Sequence, residues 1–137
     1  MLQRRSFLQG AAAAGVLGLS ACATTGVPSK ARVLVVGGGY GGATAAKYVR
    51  LLSDYQIEVV LVEPNSAFVS CPISNLVLGG HRTMAEITTP YDNLVRRHGV
   101  RLVRDTVARV DPARKVAVLS SGPTIAYDKL ILSPGID

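Results

Sequence analysis

Five glycines in six positions, Gly37, Gly38, Gly39, Gly41 and Gly42, carry the clearest chemical signal of this 137-residue chain. They follow the apolar run Val33–Val36 and precede an Ala-rich amphipathic stretch. A strand, a tight turn and a helix in that order can hold a dinucleotide diphosphate. Gly37 supplies the turn, Gly39 lets the backbone approach the phosphates, and Gly42 lets the helix pack close to the strand. The helix start adds free N–H groups and the positive end of the helix dipole. A lone G-x-G-x-x-G is weak evidence, but here an acidic partner follows. Glu63 ends a second apolar run, in VVLVEPN, 21 residues after Gly42. A carboxylate there can accept hydrogen bonds from an adenosine ribose.

The second candidate is Cys71, in AFVSCPISNLVLGG, residues 67–80. It lies just past the strand carrying Glu63. A nucleotide held at Gly37–Gly42 extends across the carboxyl ends of the strands, so this loop can reach a flavin or nicotinamide ring. Two readings stay open from the residues alone. Cys71 is a small buried hydrophobe, or it is a reactive thiolate, which requires a nearby cation or helix end. Cys22 is the only other cysteine. If it is removed or lipidated, no disulfide can form within this chain.

These groups need elements to position them. Residues 1–23 read as a targeting segment and 24–30 as a small-residue linker, leaving 31–137 as the folded part. Arg4 and Arg5 precede a mildly apolar, small-residue run, as in a bacterial twin-arginine export signal. The expected location is therefore the periplasm. Ala21-Cys22-Ala23 fits a cleavage site; Leu19-Ser20-Ala21-Cys22 also fits a lipoprotein box, and a lipid on Cys22 is the one expected route to a membrane. The net charge of +6 falls to +4 without the first 22 residues. Arg96, Arg97, Arg101 and Arg104 read as a solvated basic face. No aromatic side chains interleave with them, which argues against nucleic acid.

Strands are expected at 31–36 and 57–62, both continuous apolar runs suited to a parallel sheet covered on two faces. A helix is expected at about 41–52. An irregular stretch covers 64–89. Pro90 is expected to open a short helix at 91–98, ended by Gly99. A strand at 100–104, a hairpin at 106–110 and 115–119, and a strand at 129–133 complete the order. The fold class is α/β: a parallel sheet with an inserted antiparallel crossover. KLILSPGID breaks off where a core strand normally continues, so the chain reads as the N-terminal piece of a larger protein.

Several segments together carry a resemblance: KARVLVVGGGYGGATAAKYVR, IEVVLVEPN, SCPISNLVLGG, YDNLVRRHGV and YDKLILSPGID. The chain resembles the flavoprotein subunits of flavocytochrome c sulfide dehydrogenases, within the wider pyridine nucleotide-disulfide oxidoreductase superfamily. The resemblance implies part of a Rossmann-like FAD-binding domain. Gly37, Gly38, Gly39 and Gly42 would then hold the diphosphate and Glu63 the ribose. Val107 would offer its backbone to adenine, and Pro134 and Gly135 would lie against the cofactor. Cys71 matches the loop cysteine that forms a thioether with the flavin in that family. It also implies sulfide as substrate, a c-type cytochrome as partner, and two redox cysteines beyond Asp137. Three other readings compete: a sulfide:quinone oxidoreductase, a nicotinamide-binding domain, and a truncated non-catalytic dinucleotide-binding module. Metal ligation is not expected.

Overall fold

The computed structural model describes residues 31–135; the targeting segment, the linker, Cys22 and the final Ile136-Asp137 lie outside the described residues. At the centre is a four-stranded parallel sheet of β1 (Ala31–Val36), β2 (Ile57–Val62), β5 (Arg101–Val103) and β9 (Lys129–Leu132), in the order β5-β2-β1-β9. α1 (Tyr40–Leu52) connects β1 to β2 on one side, while β9 pairs with the other side of β1. The chain thus reverses its direction of build between β1 and β9, which is where sheets of this kind leave a crevice at the carboxyl ends.

The apolar runs divide by parity, as the period of two requires. Val33, Val35, Val59 and Leu61 face one side with Ala46, Tyr91 and Val100. Leu34, Val60 and Val62 face the other with Ala117, Leu119, Ile125 and Tyr127. Both faces of β1 and β2 are therefore covered, which explains why these strands show no polar alternation. The first layer is supplied by α1 and by α3 (Asp92–His98). The second is a three-stranded antiparallel meander of β6 (Val107–Asp111), β7 (Val116–Leu119) and β8 (Thr124–Ala126). Each fully buried Leu or Val contributes roughly 1.5–3 kcal/mol.

Three local expectations are corrected. The crossover holds three strands rather than a two-stranded hairpin, because Ile125 turns inward and Tyr127 follows it into the core. The stretch 64–89 is not irregular throughout. It contains β3 (Ala67–Val69), a 3-10 turn at Cys71–Ile73, α2 (Asn75–Leu78) and a further 3-10 turn at Ala85–Ile87. It ends in β4 (Thr88–Pro90), which pairs antiparallel with β3. Pro90 closes β4 instead of opening the helix; Tyr91 stands at the N-cap and α3 begins at Asp92. Gly99 does end α3, at a φ of 61°. Arg50 near the end of α1 donates to His98 O (2.8 Å) and Tyr55 O (2.8 Å), tying α1 to the end of α3.

Candidate functional site

The carboxyl ends of β1, β2 and β9 open into a cleft of about 850 Å³. Its walls include Gly37, Gly38, Gly39, Glu63, Val107, Pro134 and Gly135. Seven of the nine residues singled out in the sequence are therefore brought together. Gly42 lies beneath them, in the first turn of α1, and Cys71 is not part of the lining.

The glycines differ in what they make possible. Gly37 has a φ of +94°, and a Cβ there would stand 2.1 Å from Ser133 O. A Cβ on Gly42 would stand 1.8 Å from Gly37 O, so the helix can meet the turn only through a glycine. At Gly39 a Cβ would meet no atom within 4 Å. Gly39 borders the cleft, so the protein leaves open space beside the turn at this position. No side chain caps α1, whose first backbone bond runs from Ala43 N–H to Gly39 O at 2.9 Å. Helix geometry leaves the N–H groups before Ala43 without an intrahelical acceptor, beside open space large enough for an anionic group. The cradle thus fits a dinucleotide diphosphate.

Glu63 is buried at 7% exposure. Oε2 accepts from the Gly38 N–H at 2.7 Å, and Oε1 accepts from Asn65 N–H and Asn65 Nδ2, both at 2.8 Å. A carboxylate offers about four lone-pair positions, so three donors leave capacity for one more, such as a ribose hydroxyl. The carboxylate therefore holds the glycine turn as well as facing the cleft.

Tyr91, to which the glycine motif does not point, is a second clamp on the same turn. It is 4% exposed, and its hydroxyl donates to Gly38 O at 2.9 Å. Burial, and then the nearby charge of Glu63, push its phenol up to about 12 despite the opposing charge of Arg104. No local pattern can announce a bond spanning 53 residues. Asn65 is more accessible to inference: an Asn two places after a Glu at a strand end is a short-range turn partner.

On the far wall, β6 departs from regular pairing between Val107 and Arg109, next to the cleft. Such bulges re-aim the backbone beside sites. Asp105 also lines the cleft; hydrogen bonds from Ser121 and the Thr106 N–H hold its carboxyl below the usual range.

Cys71 is exposed, which removes the reading of it as a buried hydrophobe. It starts the 3-10 turn, and its carbonyl accepts from Ser74 N–H (3.0 Å) and Ser74 Oγ (2.7 Å). The loop is tied to the glycine turn by Tyr40, whose hydroxyl bonds the buried Ser70 and whose ring packs edge-on to Phe68 at 4.6 Å. Of the basic side chains, Arg96 pairs with Asp92 (3.2 Å) and Arg101 with Glu58 (3.7 Å), whereas Arg104 donates to Ser66 O (3.4 Å) and acts on Tyr91. Among the described residues no three His, Cys, Asp or Glu side chains are grouped to hold a metal, and no helix is long and apolar enough to cross a membrane.

Residues 31–137 match the pyridine nucleotide-disulphide oxidoreductase family. A sulfide dehydrogenase [flavocytochrome c] flavoprotein chain from Chlorobaculum thiosulfatiphilum is 65% identical over 46 residues, 34% of this chain and 94% of that one. The mitochondrial sulfide:quinone oxidoreductase of Mus musculus is 32% identical over 123 residues, 90% of this chain and 27% of that one. The solved sulfide:quinone oxidoreductase of Aquifex aeolicus superposes with a TM-score of 0.67 at 28% identity, covering 76% of this chain and 24% of that one. The chain thus spans about a quarter of the length of these last two relatives. The match over every described residue, the shared fold and the glycine cradle make the chain a member of the pyridine nucleotide-disulphide oxidoreductase family, similar within it to sulfide dehydrogenase flavoprotein chains.

Proposed function

We propose that this chain is the diphosphate-gripping part of an FAD-dependent oxidoreductase that takes electrons from sulfide and passes them to a c-type cytochrome. The observation that carries the cofactor assignment is Gly39, open to the cleft between the uncapped start of α1 and the turn held by Glu63. Gly37, Gly38, Gly39 and Gly42 form the diphosphate cradle, and Glu63 supplies the remaining acceptor for the ribose. Val107 offers its backbone to adenine, and Pro134 and Gly135 border the cofactor. FAD, when bound, accepts electrons in pairs and releases them singly, which suits a one-electron haem acceptor. Similarity to the Chlorobaculum flavoprotein chain supports sulfide as donor and a cytochrome as partner.

Cys71 is the proposed covalent attachment point. Its exposure and its place on a loop tied to Tyr40 support this. The two redox cysteines that the resemblance implies for the sulfide chemistry are distinct from Cys22 and Cys71. The twin arginines support export to the periplasm, with a lipid anchor at Cys22 as the alternative.

The test uses the whole protein. Acid denaturation should leave flavin absorbance on the polypeptide, and Cys71→Ala should release it. Equal release from both proteins would exclude the thioether. A second reading, electron delivery to a quinone, is favoured by the likeness to sulfide:quinone oxidoreductases. Sulfide-dependent reduction of a soluble quinone, with none of a c-type cytochrome, would establish it.

A further inference from the structure

We infer that Tyr91 is a positioning residue for the diphosphate: its hydroxyl holds the Gly38–Gly39 peptide so that the Gly39 N–H faces the cofactor. The inference rests on the FAD reading above. Two successive peptide planes carry it. In the Gly37–Gly38 peptide, the N–H donates to Glu63 Oε2 at 2.7 Å, and the opposed carbonyl lies against Gly42. In the Gly38–Gly39 peptide, the carbonyl accepts from the Tyr91 hydroxyl at 2.9 Å. No peptide bond among the described residues is cis. A trans peptide sets its N–H opposite its carbonyl. With the Gly38 carbonyl drawn toward the Tyr91 hydroxyl, the Gly39 N–H is aimed the other way, and Gly39 itself borders the cleft.

The same contact accounts for a glycine that the motif does not demand. Gly38 stands at the variable position of G-x-G, yet a Cβ there would lie 2.5 Å from the Tyr91 hydroxyl and 2.9 Å from Glu63 Cγ. The space a side chain would take is filled by the two groups that orient the turn. Tyr91 reaches it because β4 and the N-cap of α3 place the ring inside the helix-side core, where it is 4% exposed and cannot swing away.

A residue that aims one donor at a diphosphate should affect ligands that carry the diphosphate and spare those that do not. The test uses the whole protein in a Cys71→Ala background, so that cofactor can be exchanged. FAD, ADP and adenosine are each titrated into apoprotein, adenosine by competition with ADP. Tyr91→Phe is expected to weaken FAD and ADP by the same factor, about tenfold, the scale of one charge-assisted hydrogen bond. Adenosine should change by less than about twofold. Should Tyr91→Phe not accumulate as folded protein, Tyr91→Met, which fills the same core site without a hydroxyl and leaves Gly38 and Glu63 unchanged, is read in the same way. Undiminished FAD and ADP binding would overturn the inference, as would an equal loss for all three ligands, which marks general loosening. If the background protein with Tyr91 intact binds neither FAD nor ADP, the FAD reading itself fails, and the inference with it.

Discussion

The glycine turn and the cysteine loop lie next to each other but are built in opposite ways. At the turn, backbone meets backbone: Gly42 against Gly37 O, Gly37 against Ser133 O, and Gly38 between Glu63 and Tyr91. Its anchors come from β2, β9 and the start of α3, each distant in sequence. At the loop, Cys71, Pro72, Ser74 and Asn75 are exposed, the elements are single turns, and the hydrogen bonds around Cys71 are local ones to Ser74. Tyr40 is the strut between the two. A cradle must hold its shape before the ligand arrives, because a diphosphate is recognised by fixed backbone donors. A reactive side chain needs access, so it is carried on a surface loop positioned by the scaffold.

The contrast can be broken most severely at Gly42. Gly42→Ala puts a Cβ 1.8 Å from the backbone oxygen of Gly37, and a loss of more than about 4 kcal/mol, or no folded protein, is expected in denaturant unfolding. Glu63→Gln comes next. Whichever way the amide is turned, its NH₂ faces a donor, either Gly38 N–H or the Asn65 pair, at a cost of about 1–3 kcal/mol. A wild-type unfolding midpoint in Glu63→Gln would show that the turn does not depend on the carboxylate.

The pH dependence of Tyr91 gives an effect of similar size. Its folded phenol titrates at about 12, above the ordinary value near 10, so above pH ~10 the unfolded state loses a proton that the folded state keeps. Stability present below pH ~10 should therefore fall by about 2 kcal/mol as the pH rises to ~12. Comparing unfolding of wild type and Tyr91→Phe across that range isolates the contribution. The two curves should converge as pH rises, and parallel curves would contradict the buried, neutral phenol.

At the loop the expected costs are small. Cys71→Ala should shift stability by no more than about 0.5 kcal/mol while abolishing acid-stable flavin.

The cradle is legible in the sequence because its requirements are local. A positive-φ turn, a close approach to the phosphates and a close helix contact each impose a glycine at fixed spacing, and the parallel strands show as unbroken apolar runs. Less is legible where structure depends on distant partners. β3 and β4 are three residues each and pair across more than fifteen positions, so neither has a periodic signal of its own. β8 carries one buried residue, Ile125, too few to mark a strand. Pro90 reads as a helix start because proline suits that position, but it also suits the end of a short strand. Tyr91 is hidden for the same reason as β4: its role is set by a contact across the fold.

Gly39 tests the central claim most directly, because nothing in the protein itself forbids a side chain there. In the Cys71→Ala background of the whole protein, Gly39→Ala apoprotein should unfold at the midpoint of its parent, yet bind ADP and FAD at least about a hundredfold more weakly, since its Cβ would occupy the diphosphate seat. A Gly39→Ala protein that keeps both affinities at the parental level would show that the diphosphate does not lie on this turn.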